Sequence, residues 1–186
     1  MAKYRNALSQ TQGDFFLTDG GIETTLIFLD GQELPHFAAF HLLKTQSGEA
    51  SLRKYFRTYA ELARTHRAGL VLETATWRAS KDWGDRLGYT SDALAEANRK
   101  CVELLEEVRR EYESTETPIV ISGCIGPRGD GYVPTNLMSE GQAEEYHRFQ
   151  VETFAGTSVD LVTAITMNYA EEAIGLTCAA QKAAVP

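Results

Sequence analysis

Gly69-Leu70-Val71-Leu72-Glu73-Thr74, followed by Ala75-Thr76-Trp77-Arg78-Ala79-Ser80, is the stretch on which the fold turns. Its first half is a short apolar run without strict alternation, the pattern of a strand buried on both faces of a parallel sheet. Three further runs share the pattern: Phe15-Phe16-Leu17-Thr18 upstream, and Pro118-Ile119-Val120-Ile121-Ser122-Gly123 and Val159-Asp160-Leu161-Val162-Thr163-Ala164 downstream. Helical periodicity fills the gaps. From Ser51, read as an N-cap, apolar or small residues recur at Leu52, Tyr55, Phe56, Tyr59, Leu62, Ala63 and His66, along one helical face. Ser91 opens a second helix with Leu94, Ala97, Cys101, Leu105, Val108 and Tyr112 on its apolar side. Ser139-x-x-Gln142 reads as a capping box ahead of a third helix carrying Tyr146 and Phe149. Residues 171–184 predict a fourth, Ala-rich helix that Gly175 weakens, and Val185-Pro186 is where a fifth strand can begin.

Strands alternating with helices require a parallel sheet. The fold class is therefore α/β, either an open doubly wound sheet or a partial (β/α)8 TIM barrel of about four to five βα units. A whole barrel takes roughly 250 residues, and this chain has 186. That length suits one domain over residues 1–186, with no linker or internal repeat. Apolar residues make up 43% and charged residues 24%, a globular composition. Lys and Arg number 18 against 26 Asp and Glu, for a net charge of −8. This balance, with no basic stripe, argues against nucleic acid as a partner. No apolar run is long enough for a membrane span, and Met1 to Asn6 carries no leader-like apolar segment. Cys101, Cys124 and Cys178 are odd in number and widely spaced, which suits a reducing compartment, and the expected location is the cytoplasm.

In parallel α/β folds ligand sites gather at the carboxyl ends of the strands. Asp19-Gly20-Gly21 follows the first strand, where it forms either a tight turn or a carboxylate beside approachable backbone. After the second strand, Thr74, Thr76 and Trp77 either line a small polar pocket, or Trp77 packs inward with Arg78 left in solvent. After the third, residues 123–132 form a glycine-rich loop longer than a connection needs, and Cys124 in it is either a nucleophile or ligand or, as a lone strand-end Cys more often is, a small buried hydrophobe. Cys101 and Cys178 have no Cys or His at ligand spacing, and His36 and His41 read as structural or surface residues.

Taken together, these strand-end motifs resemble the amino-terminal part of the homocysteine S-methyltransferase family. The family opens with a strand and Asp-Gly-Gly, as in Asp19-Gly20-Gly21-Ile22-Glu23-Thr24-Thr25-Leu26. Its Thr-x-Thr-aromatic-x-Ala-Ser stretch is matched by Thr74-Ala75-Thr76-Trp77-Arg78-Ala79-Ser80, and its Gly-x-x-Gly-Pro stretch by Gly123 through Tyr132. Its fourth motif is matched by Gly156, Asp160, Glu172 and Ala173.

The resemblance implies a (β/α)8 barrel enzyme that moves a methyl group from a donor to the thiol of homocysteine, giving methionine. It implies Zn2+, held by one single and one paired set of cysteines after the sixth and eighth strands. Cys101, Cys124 and Cys178 match none of these, so no metal role is transferred to this chain, and the strands bearing the zinc ligands are absent from it. Where the family places a Glu after the fourth strand this chain has Ile165, followed by Thr166. The implied substrate-binding residues are Asp19, Gly20, Gly21, Thr74, Thr76, Trp77 and Thr166, and no catalytic residue is assigned. All four motifs are expected at one rim of the sheet. The chain alone is expected to be inactive, and to pair with itself or with a missing carboxyl-terminal half that covers its open strand edges. The rival functions are a non-catalytic binding or scaffold module of the same fold, and a barrel enzyme that takes a phosphate or another small acid on the 123–132 loop.

Overall fold

The computed structural model describes residues 2–186, and Met1 lies outside them. Four strands are present: β1 (Phe16–Thr18), β2 (Gly69–Glu73), β3 (Ile119–Ile125) and β4 (Leu161–Ala164). Between them run α1 (Ile22–Thr24), which continues into a π-helical turn at Thr25–Leu29, then α2 (Gln46–His66), α3 (Lys81–Arg86), α4 (Ser91–Tyr112), α5 (Glu140–Ala155) and α6 (Ala170–Lys182). All strand pairs are parallel, with Leu17 opposite Leu70, Glu73 opposite Ser122 and Cys124 opposite Thr163. Sheet order is β1-β2-β3-β4. A doubly wound sheet reverses direction at a switch point. Here the strands are laid down strictly in sequence order, as in a (β/α)8 barrel. This order decides between the two architectures: the fold is part of a barrel. The Pro186 carbonyl accepts the Val162 N–H at 2.8 Å, along the outer edge of β4 where the sequence places the start of a fifth strand.

Side chains alternate across the sheet. Leu70, Leu72, Ile119, Ile121 and Ile125 are fully buried on the helix side. They join one core with Leu52 and Phe56 of α2, Leu105 of α4, and Val151 and Phe154 of α5. Burying side chains of this size is worth about 1.5–3 kcal/mol each, and it fixes the sheet against its helices. By the same alternation the opposite face carries Val71, Glu73, Val120, Ser122, Cys124 and Thr163, polar toward the carboxyl ends. The capping box at α5 has both its bonds, from Ser139 N–H to Gln142 Oε1 at 2.9 Å and from Gln142 N–H to Ser139 Oγ at 3.4 Å.

Three expectations need correction. Helix α2 begins at Gln46 rather than near Ser51, capped by Thr45, whose side chain accepts the Gly48 N–H. Its first turn buries a glycine instead of an apolar side chain, so periodicity does not register it. Gly175 is a packing device rather than a weakness. A Cβ there would lie 2.4 Å from the Glu140 carbonyl oxygen and 2.5 Å from the Ala143 Cβ, so its absence lets α6 close on α5. The fourth motif is split between the two ends of the sheet. Asp160 precedes β4, bonds through its N–H to the Ile121 carbonyl, and faces the amino-terminal arm, away from the carboxyl rim that Thr166 occupies.

Candidate functional site

At the carboxyl end of β1, Asp19 is held from two sides. Its Oδ1 accepts the Glu73 N–H at 3.2 Å and its Oδ2 accepts the Tyr55 hydroxyl at 3.0 Å. The hydroxyls of Tyr55 and Tyr59 both reach the Gly20 carbonyl, each at 3.1 Å. Gly20 and Gly21 themselves are exposed, and nothing lies within 4 Å of where a Cβ on Gly20 would sit. A fixed carboxylate thus stands beside open backbone.

The neighbouring acids are under strain of solvation. Burial raises Asp19 above the usual carboxylate range, against the two bonds that favour its charge. Burial also pushes Glu23 up to about 7, with the Asp19 charge adding to the rise and Arg78 opposing it. Glu73 rises to about 7 by burial and by proximity to Asp19, although the Ser122 and Thr163 hydroxyls favour its ionised form. One oxygen on each, Glu23 Oε1 and Glu73 Oε2, is buried without a partner.

The loop after β2 is the most constrained part of the rim. Cys124 N–H donates to Thr74 Oγ1 at 2.9 Å, the Thr74 and Thr76 hydroxyls lie 2.6 Å apart, and Thr76 Oγ1 donates to the Cys124 carbonyl at 2.7 Å. Both threonine hydroxyls are therefore engaged in clasping β2 to β3. Behind them, buried Gln150 donates to the Thr76 carbonyl at 3.1 Å and to Asn98 Oδ1 at 3.0 Å, and Asn98 donates to the Ala79 carbonyl at 3.0 Å. Trp77 Nε1 donates to Thr166 Oγ1 at 3.0 Å. Thr166 adopts a φ of 60°, a left-handed backbone uncommon for a β-branched residue and of the kind that clusters at functional sites. The 123–132 loop closes onto Trp77 because Gly126 has no Cβ, which would meet the Trp77 carbonyl at 2.3 Å.

Arg78 is buried, not in solvent. Its guanidinium carbon lies 3.9 Å from the ring centroid of Trp77 and 3.9 Å from that of Trp83, so the group sits between two indoles. Its Nη1 donates to the Gly129 carbonyl at 2.8 Å.

Two of the three cysteines are buried thiols. Burial pushes Cys101 up to about 12. Burial, with Glu73, Glu23 and Asp19 adding, holds the Cys124 thiol well above its ordinary value. Among the described residues no group of three or more His, Cys, Asp or Glu side chains is placed to hold a metal ion. The zinc that the resemblance implies does not fit the residues present. The 123–132 loop is tied down at two points: Tyr132 and Val133 N–H donate to Asp130 Oδ1 at 2.8 and 3.0 Å, and Arg128 N–H donates to Glu172 Oε1 of α6 at 2.7 Å.

Asp19, Gly20, Gly21, Trp77 and Thr166 thus lie on strand-end loops at one end of the sheet, with Thr74 and Thr76 beneath as a clasp. Glu23, Glu73, Arg78, Tyr55 and Trp83 were not singled out by sequence. Glu73 had a signal, a carboxylate closing an otherwise apolar buried strand. Arg78 and Trp83 had none, because they meet only once α3 forms.

A model of the homocysteine S-methyltransferase family matches residues 16–186. Two structures of the homocysteine methyltransferase MmuM from Escherichia coli share the fold. The metallated form gives a TM-score of 0.74 at 19% identity, over 97% of this chain and 63% of that one. The oxidized form gives 0.74 at 20% identity, over 94% and 60%. The chain therefore spans about three-fifths of the length of these structures, and at such identities the likeness concerns the fold alone. No curated protein matches.

Proposed function

The chain belongs to the homocysteine S-methyltransferase family, and on that premise we propose that its strand-end rim is the amino-acid half of a pocket in which a methyl group passes to the thiol of homocysteine, giving methionine. The observation that carries this reading is the Asp19 carboxylate. It is anchored by Tyr55 and the Glu73 N–H beside the exposed Gly20 and Gly21 backbone. An ammonium group placed there gains a charge-assisted bond and relieves the crowding of Asp19, Glu23 and Glu73. In this reading Trp77 and Thr166, hydrogen-bonded to each other, serve as a pocket wall, and Thr74 and Thr76 fix the β2–β3 ends beneath it.

Transfer to sulfur needs a thiolate, and a free thiol ionises near 8.5. The rim works against that step. Cys124 is held protonated first by burial and then by the same three carboxylates, which would also oppose a substrate thiolate. The residues present orient the amino-acid end and do not ionise the sulfur; the zinc implied by the resemblance would require ligands beyond those among the described residues. We accordingly assign residues 1–186 to one methyltransferase-like (β/α) domain that binds homocysteine and, by itself, produces no methionine. The strand edges at β1 and β4 are where a second copy or further strands of the barrel would pair. The three cysteines, all free, support a reducing compartment, and the cytoplasm is the location we propose.

Calorimetry with homocysteine against a panel of phosphate esters tests the reading. Homocysteine should bind, Asp19→Asn should abolish the signal, and the esters should give none. Preference for an ester would favour the rival small-acid enzyme. Incubation with zinc, homocysteine and a set of methyl donors should yield no methionine; zinc-dependent methionine would overturn the assignment of inactivity.

A further inference from the structure

A buried guanidinium normally takes a carboxylate partner, because an uncompensated charge away from water is costly. Arg78 is 5% exposed. Of its five N–H donors, only one on Nη1 has an acceptor, the Gly129 carbonyl. Its Nε is buried without a partner. Nη2 also has no acceptor but keeps accessible surface, so Nε and Nη2 leave one edge of the fork unspent. No carboxylate forms an ion pair with it among the described residues. Asp130 is committed to the Tyr132 and Val133 N–H groups of its own turn. Glu23, the other acid facing it, is held partly neutral by burial. The two indoles restrain the guanidinium, so its free edge is held and not left to swing in solvent.

We propose that Arg78, clamped between Trp77 and Trp83, receives the carboxylate of an α-amino-acid ligand whose ammonium faces Asp19, Glu23 and Glu73. The unpartnered atoms of the rim then form a complement to a zwitterion: acidic oxygens on one side, guanidinium donors on the other. This rests on the reading that the rim holds an amino acid, and adds the residue that selects for the carboxylate. Both tryptophans of the chain stack on Arg78, so their fluorescence reports this site.

The test uses the full chain and two ligand pairs that differ only by a carboxylate: L-homocysteine with 3-aminopropane-1-thiol, and L-norleucine with pentylamine. Kd is read by tryptophan fluorescence and calorimetry. The wild-type chain should bind each amino acid roughly 10- to 100-fold more tightly than its amine. Arg78→Gln should erase that preference while leaving the amines unchanged, and Arg78→Lys should keep part of it. If Arg78→Gln does not fold, the loss in Arg78→Lys, confined to the amino acids, carries the test. Equal affinity for amino acid and amine in the wild-type chain, or an equal loss for both in the variants, overturns the proposal. A carboxylate preference seen with norleucine but no binding of homocysteine would sink the homocysteine reading and leave the role of Arg78 standing.

Discussion

Removing the Asp160 carboxylate should take away a large share of the chain's stability without touching the candidate site. Asp160 is fully buried, and its two oxygens accept four bonds. Oδ1 takes the backbone N–H groups of Lys3 at 2.8 Å and Tyr4 at 2.6 Å. Oδ2 takes Arg109 Nη1 at 2.8 Å and the Ile121 N–H at 3.0 Å. In Asp160→Ala, Lys3 and Tyr4 sit near the surface and can be rehydrated, but Arg109 and Ile121 cannot. Arg109 is 8% exposed and would keep a buried charge with no partner. Losing one member of such a pair costs about 3–5 kcal/mol, against a total of about 5–15 kcal/mol for a typical domain.

Urea unfolding followed by circular dichroism measures this. With a slope of about 2 kcal/mol per molar, the midpoint should fall by about 2 M. The double variant Arg109→Met with Asp160→Leu should recover much of the loss, since replacing a whole buried pair by apolar groups is often nearly neutral. A loss under about 1 kcal/mol for Asp160→Ala would refute the claim that this carboxylate binds the amino-terminal arm, α4 and the foot of β3 into one unit.

Three further outcomes follow from the site and its packing. Glu23 and Glu73 have folded values near 7 against an ordinary 4.5, so the folded state holds protons that the unfolded state has released; stability from this source is full below about pH 4.5, falls as pH rises to 7, and is flat above. Melting temperature against pH should show Glu73→Gln flattening that fall and gaining stability at pH 8; an unchanged profile would count against the burial argument. Gly175→Ala should destabilise by about 1–3 kcal/mol through overpacking between α5 and α6, where helix propensity alone predicts a gain of about 1 kcal/mol, so the sign of the shift in thermal melting decides. Native alkylation with iodoacetamide at pH 8 should label half-buried Cys178 and spare Cys101 and Cys124; early labelling of Cys124 would contradict its protonated, enclosed state.

The strands were legible because burial on both faces writes a continuous apolar run, and Leu70, Leu72, Ile119 and Ile121 are such residues. The Ser139 cap was legible because its chemistry is local. What stayed hidden depends on distance in sequence. The Asp160 network joins residues 3, 4, 109 and 121, and Trp83 reaches Arg78 only through the turn into α3. Thr74 and Thr76 looked like pocket hydroxyls because sequence shows donors but not who already holds them; Cys124 does. Gly175 looked like a fault because propensity counts a helix in isolation, whereas α6 is judged against α5.

The electrostatics of the rim divide the work of the pocket. Three carboxylates crowd one side, two of them half-titrated near neutrality, and each is strengthened as a partner by an incoming ammonium, which favours their ionised forms. A thiol brought to the same carboxylates meets the opposite effect, because a thiolate beside them is repelled; at Cys124 that repulsion adds to the larger effect of burial. One surface cannot serve both ends of the same amino acid. On the proposed reading, the homocysteine sulfur would lie away from Asp19, Glu23 and Glu73. Binding to the rim should therefore strengthen as pH rises through 7, while the nucleophilicity of the bound sulfur depends on groups that this acidic surface does not contain.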